Sequence, residues 1–233
     1  VALLIAGLQL AALGSADNQN RVITYTYSTN APQETIVETL LGTEVSRRYR
    51  VFNAGEVQEI LCQSSGASYT ASDNLVTITG KYTSGAFSND IQSVKNPDGT
   101  LSTYQYSTNS TIKTTIVFSG APDGTGTNVT DGTKNLSVVD MSGNSVSNAT
   151  YDISSGLLLS SQTTTATDSF GRPTTIQYND GNTETISYGC CGIDYRVDRE
   201  GIRTDFGYDA LKRITTEIRA GITNSYTYDA TGK

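Results

Sequence analysis

The chain has 233 residues, a formal net charge of -7, and 17% charged against 36% hydrophobic residues; that size admits one large β domain or two ordinary ones, and that charge gives no sign of nucleic-acid binding. With no His, 3 Cys, 1 Met and no Trp, the composition excludes Ser-His-Asp and Cys-His catalysis, His-ligated or four-thiolate zinc, and indole platforms for sugars within these residues. The remainder is small and polar: 35 Thr, 25 Ser and 22 Gly against 4 Pro, which disfavours helix and, through Thr and Tyr, favours strands joined by many turns.

The chain opens on its one long apolar run, Val1 to Leu13, followed by Gly14-Ser15-Ala16-Asp17. Residues 1–16 read in two ways. They are the apolar core and cleavage region of a secretory signal without its basic start, or a fragment boundary whose run is a buried strand or short helix. Thirteen residues at a helical rise of ~1.5 Å cover ~20 Å, too short for a hydrocarbon core of ~30 Å. No later stretch suits a spanning helix.

Residues 17–164 read as a less regular β-hairpin region. Segments rich in Thr, Tyr, Ile and Val at 22–27, 75–79 and 114–118 carry strand signals. Four Asp-Gly pairs, Asp98-Gly99, Asp123-Gly124, Asp131-Gly132 and Asp180-Gly181, are hairpin candidates. In Asn96-Pro97-Asp98-Gly99-Thr100, Pro fixes φ early in the turn and Gly supplies a left-handed residue, so Asn96 should oppose Thr100 across a three-residue loop. Around Asp180-Gly181 the apolar residues Ile176, Tyr178, Ile186 and Tyr188 all carry even numbers. Partners across a hairpin share a face, so their numbers must sum to an even value to bring all four together. That requires Tyr178 opposite Asn182, a three-residue loop, and Gly181 at positive φ.

From 165 to 233 an internal period of 20 residues places Gly181, Gly201 and Gly221 in one column and Tyr188, Tyr208 and Tyr228 in another, with Ile186, Phe206 and Tyr226 between them. A 20-residue unit suits two strands of ~5 to 6 residues with two turns and is too short for a helix pair. A second signature, Asp-x-x-Gly/Lys-Arg/Lys, recurs from Asp168 to Arg172, from Asp209 to Arg213 and from Asp229 to Lys233; Tyr precedes the last two. The expected fold is therefore all-β, an antiparallel β-hairpin repeat array whose columns of Tyr, Ile, Val and Leu form an apolar face.

These residues resemble the YD-repeat, or Rhs, family, whose unit reads roughly Gly, a few residues, then Tyr-x-Tyr-Asp-x-x-Gly-Arg. Tyr226-Thr227-Tyr228-Asp229-Ala230-Thr231-Gly232-Lys233 is close to that pattern. The resemblance covers about 165–233, with weaker echoes at Tyr25-Thr26-Tyr27 and Tyr104-Gln105-Tyr106. It implies a large secreted or surface-displayed protein in which hairpins wind into a β strip or shell. Such shells enclose a C-terminal toxin in bacterial members and support adhesion in animal teneurins. Neither the family's autoproteolytic segment nor a toxin occurs in the 233 residues, so a cargo domain is an expectation about a parent chain only.

The residues that bear chemistry each have a structural and a functional reading. The repeat residues Asp209, Asp229 and Arg213, with their Tyr neighbours, read structurally as turn caps and Arg covers over Tyr rings; functionally, Tyr208, Tyr228 and Arg213 would form a glycan-binding ladder. Cys190-Cys191, flanked by Gly189 and Gly192, reads as two small apolar residues in a tight turn, or as a vicinal disulfide or reactive thiol pair. Gly189 stands in the column of Asp209 and Asp229. Asn-x-Ser/Thr triplets at Asn109, Asn128, Asn135 and Asn148 match the glycosylation acceptor pattern, which arises readily by chance in this composition. Asp194, Asp198 and Glu200 read as solvated strand-edge charges, with a carboxylate pair or weak cation site as the alternative. No metal site or cofactor is expected.

The expected function is non-enzymatic: a structural segment of a large extracellular or cell-surface bacterial repeat protein, partnered by further repeats of its own parent chain. The first alternative is a carbohydrate or cell-surface binding module. The second is a glycan hydrolase on a β scaffold, which would need two carboxylates converging at ~5 to 9.5 Å.

Overall fold

The structure is a computed structural model that describes residues 10–13 and 21–229, with only the backbone described for 10–13. It is all-β. Among the described residues there is no helix, and so none long and apolar enough to cross a membrane. Two compact units are present, residues 1–105 with 117–132 and residues 106–116 with 133–233. The boundary expected at 164/165 falls inside the second unit.

The first unit contains β1 (Leu10–Leu13), β2 (Arg21–Tyr27), β3 (Glu34–Leu40), β4 (Thr43–Asn53), β5 (Glu56–Leu61), β6 (Leu75–Lys81) and β7 (Ile91–Lys95). The division between units falls within β8 (Leu101–Thr108), β9 (Ile112–Pro122) and β10 (Val129–Asp140). The second unit continues with β11 (Ser145–Asp152), β12 (Leu158–Thr167), β13 (Pro173–Tyr178), β14 (Thr183–Tyr188), β15 (Ile193–Val197), β16 (Arg203–Tyr208), β17 (Ile214–Arg219) and β18 (Ile222–Ser225). From β1 to β8 each strand pairs antiparallel with the next. The same holds from β10 to β18. Of the apolar run at 1–13, the described part is β1, a strand against β2; the rest lies outside the described residues.

The turns follow from local chemistry. Asn96 opposes Thr100 through an amide-to-carbonyl bond of 2.9 Å, with Gly99 at φ +85. Tyr178 opposes Asn182 at 3.0 Å, with Gly181 at φ +86, and the register Ile176↔Glu184 follows. The even-numbered apolar residues therefore do share a face. Asp198 and Ile202 repeat the loop, with Gly201 at φ +79. Gly221 closes a shorter one: Arg219 pairs with Ile222, leaving Ala220 and Gly221 both at positive φ, the two-residue turn whose twist suits a hairpin. Near Asp123-Gly124 the chain does turn, between Asp123 and Asn128, but Gly126 takes the positive φ.

Two expectations are corrected. Asp131-Gly132 is not a turn but lies inside β10, because Gly132 sits where the β9 backbone at Ser119 and Gly120 leaves no room for a Cβ. The apolar columns do not make a buried face in the repeat region. Among the described residues the buried hydrophobic side chains are Tyr49, Val51, Ile60 and Leu101, all in the first unit. Ile186 and Phe206 are half-buried and Tyr226 is 42% exposed. In the second unit strand contacts run mainly between consecutive strands, and side neighbours on one sheet cover only part of a side chain.

In the first unit, Tyr49 and Val51 of β4 and Ile60 of β5 pack with Cys62, Tyr69 and Val76 beneath the 62–74 segment. Tyr49 meets Tyr69 edge-on at 6.0 Å and donates its hydroxyl to the Ala67 carbonyl at 2.8 Å. Glu44 ties down the same segment: it accepts from Arg47 at 2.6 and 3.0 Å and from the Gly66 amide at 2.7 Å. Arg47 and then the Gly66 amide hold its carboxyl at about 2, against 4.5 ordinarily. A value lower in the folded than in the unfolded chain means a contribution present above pH 4.5 and lost as pH falls through about 2. Stability to urea should therefore fall as pH drops across that window, and Glu44→Gln should show a flatter acid limb.

Candidate functional site

The second unit gathers the repeat residues at its turns. Asp168 and Asp209 build the same structure twice. Each Oδ1 accepts two turn amides at 2.9 Å, from Phe170 and Arg172 in one case and from Leu211 and Arg213 in the other. Each Oδ2 accepts from the Arg Nε at 2.7 Å. An Asp side chain that bonds its own backbone two residues on replaces part of the missing ladder, which is why Asp opens these turns. The amide of Arg213, then its guanidinium, hold Asp209 below the usual carboxylate range. The left-handed position is Gly171 in one turn and Lys212, at φ +62, in the other.

The arginines of these turns lie over the tyrosines of the Tyr column. Arg172 covers Tyr188 at 4.1 Å and Arg213 covers Tyr228 at 4.5 Å, a cation over an aromatic face. Tyr188 ends β14 and Arg172 precedes β13, so the contact closes the open end of the hairpin β13–β14. Tyr208 closes β15–β16 by donating to the Ile193 carbonyl at 3.0 Å. Tyr228 follows β18 and donates to the Ile214 carbonyl at 2.7 Å. Tyr188, Tyr208 and Tyr228 thus occupy equivalent places in three successive hairpins. Asp229 is exposed, and the rest of its turn lies outside the described residues.

The opposite ends are joined turn to turn. Arg199, in the β15–β16 turn, pairs with Asp180 in the β13–β14 turn and lies 4.3 Å over Tyr178. Arg219, the last residue of β17, pairs with Asp198 in the β15–β16 turn. Between the ends Glu184, with its side chain 5% exposed, accepts from Arg196 at 2.7 and 2.9 Å and from the Tyr178 hydroxyl at 3.0 Å. Burial and the neighbouring Glu184 carboxylate push the Tyr178 phenol up.

Of Asp194, Asp198 and Glu200, the first and last are exposed, and only Asp198 departs from the reading as solvated edge charges. Its Oδ1 caps its own turn at Glu200 and Ile202, its Oδ2 pairs with Arg219, and its side chain is 14% exposed. The Ile202 amide, then Arg219, lower its pKa. Among the described residues no group of three or more Cys, Asp or Glu is placed to hold a metal ion.

Cys190 is exposed and Cys191 half-buried, both as free thiols with Sγ atoms 2.8 Å apart. Cys62 is a free thiol in the first unit, half-buried against its core. In that unit an open groove of about 400 Å³ is lined by Ile36, Arg48, Arg50, Glu59, Leu61 and Leu75. Arg50 bridges Glu59 of the lining at 2.9 Å and Glu34 at 3.0 Å.

The sequence reading missed Asp180, Arg199, Arg219, Glu184 and Arg196 as members of this array. Asp180 to Arg199 and Asp198 to Arg219 are separated by 19 and 21 residues. Those spacings bracket the 20-residue period, and that was the signal available. No protein-family model matches the chain, and no curated protein matches it either.

Proposed function

We propose that the chain is a non-enzymatic structural segment of a large secreted or surface-displayed repeat protein of the YD-repeat kind, its hairpins forming part of a β strip or shell and its partners being further repeats of the parent chain. The observation that carries this reading is the use of the repeat residues. The Tyr column closes hairpin ends, the Arg residues cover Tyr rings, and Asp–Arg pairs join one turn to the next. Each hairpin is marginal alone, so contacts to its neighbours supply the stability.

The carbohydrate-binding alternative needs Tyr faces free to stack on sugars. Tyr208 and Tyr228 are half-buried with their hydroxyls donated to backbone carbonyls, and Arg213 covers one face of Tyr228. This favours the structural role. The test is Tyr208→Phe, which removes only the hydroxyl. On the structural reading it lowers stability in urea by about 1 kcal/mol. A variant as stable as the parent, together with glycan-array binding abolished by Tyr208→Ala, would overturn the proposal in favour of a sugar-binding module.

A further inference from the structure

Three comparable turns of the second unit, 168–172, 189–192 and 209–213, each precede the first strand of a hairpin. The first and third carry an Asp cap and an Asp–Arg ion pair. The second carries neither and is one residue shorter, closing from the Gly189 amide to the Gly192 carbonyl at 2.9 Å. Gly192 precedes β15 as Arg172 precedes β13, and a Cβ there would lie 2.6 Å from the Tyr208 hydroxyl oxygen. A Cβ on Gly189 would collide with the Asp194 carboxylate. A side chain at either position would therefore require Asp194 or Tyr208 to move, and the turn carries glycine at both places where its neighbours carry the Asp–Arg clamp.

The same geometry does something unusual with Cys190 and Cys191. In a strand consecutive side chains point to opposite faces, which separates neighbouring thiols. The Gly-flanked turn instead sets both on one side with Sγ atoms 2.8 Å apart. Cys190 is exposed to solvent and Cys191 is half-buried behind it.

We propose that Cys190 and Cys191 form a thiol–disulfide exchange site whose co-substrate is a low-molecular-weight disulfide, and that the vicinal disulfide it yields is the clamp of this turn. The exposed Cys190 thiolate attacks one sulfur of the external disulfide R–S–S–R. That bond breaks, Cys190 becomes a mixed disulfide, and RS⁻ leaves to take up the proton that Cys190 released. Cys191 then attacks the Cys190 sulfur, and the second RS⁻ leaves with the proton of Cys191. The two cysteines lose two electrons and two protons, and R–S–S–R is reduced to two RSH. The order follows from access. The hydrogen bond to Cys190 and burial push the Cys191 thiol up, which suits it to the second, intramolecular step, where proximity compensates for a small thiolate fraction. Cys62 serves as an internal reference, because burial raises its thiol.

The experiment treats the full chain with oxidised glutathione, then alkylates and measures intact mass and mapped peptides. The expected product is about 2 Da lighter than the reduced chain, the loss of two hydrogens. Its one alkylatable thiol, at Cys62, replaces three. Cys191→Ser should stop at a single glutathione adduct on Cys190, and Cys190→Ser should form adducts about tenfold more slowly. Hydrogen exchange at 189–192 should slow severalfold in the oxidised chain. Stable glutathione adducts on the parent chain, or chains linked to one another through Cys190, would overturn the exchange site. Unchanged hydrogen exchange after closure would overturn its role as a clamp.

Discussion

Gly120→Ala is expected to cost about 3 kcal/mol or more. Gly120 adopts φ +151 in β9 and faces Gly132 at φ +132 in β10. A Cβ on Gly120 would collide with the Asp131 carbonyl oxygen and lie 2.8 Å from the Gly132 Cα. These are backbone atoms, so no side-chain rotation relieves the contact and the strands themselves must separate. Glycine within a strand marks such close approach of another backbone. Gly124→Ala is the control, since nothing lies within 4 Å of its added Cβ; it should change stability by less than about 0.5 kcal/mol. Urea midpoints of the two variants decide the matter, and equal midpoints would refute the close approach.

The second large effect is expected at Glu184. Its carboxylate takes both Arg196 contacts and the Tyr178 hydroxyl while nearly enclosed. Glu184→Ala removes three hydrogen bonds, two of them to a cation, and leaves the Tyr178 hydroxyl without its acceptor. Arg196 is 51% exposed and turns to water, so the loss stays below that of a fully enclosed pair, at about 2 kcal/mol. Glu184→Gln keeps the shape and an acceptor oxygen and should cost about half as much. Pairing each change with Arg196→Ala in a double-mutant cycle isolates the ion pair. A coupling energy near zero would mean that Glu184 matters only by filling space.

Neither of these two sites was legible in the sequence, whereas most of the turns were. The turns were readable because a turn is decided by the φ preferences and side-chain caps of three to five consecutive residues: Gly181 and Gly99 supply the left-handed conformation and Asp168 or Asp209 supplies the cap. The parity of Ile176, Tyr178, Ile186 and Tyr188 then selected the register of a whole hairpin. The Tyr column was visible as a period, though not that each Tyr closes the open end of its own hairpin.

What the tertiary structure alone decided is lateral. Register along the array shifts at bulges, between Ser187 and Tyr188 and again between Gly207 and Tyr208, and each shift changes which distant side chains meet. The 20-residue period brackets the 19- and 21-residue separations of Asp180–Arg199 and Asp198–Arg219, but a period alone does not say which side chains of adjacent turns meet. Nor could composition show that Gly120 and Gly132 face each other, because the two belong to different strands and the constraint is a backbone contact. The residues alone pointed to an all-β chain of short hairpins and to most of its turns, Asp131-Gly132 excepted. The contacts between strands determined where the charges pair and how little of the apolar surface in the repeat region is covered. The physical reason is that turn geometry is a short-range property of the backbone, whereas burial and ion pairing depend on partners brought together only when separate strands align.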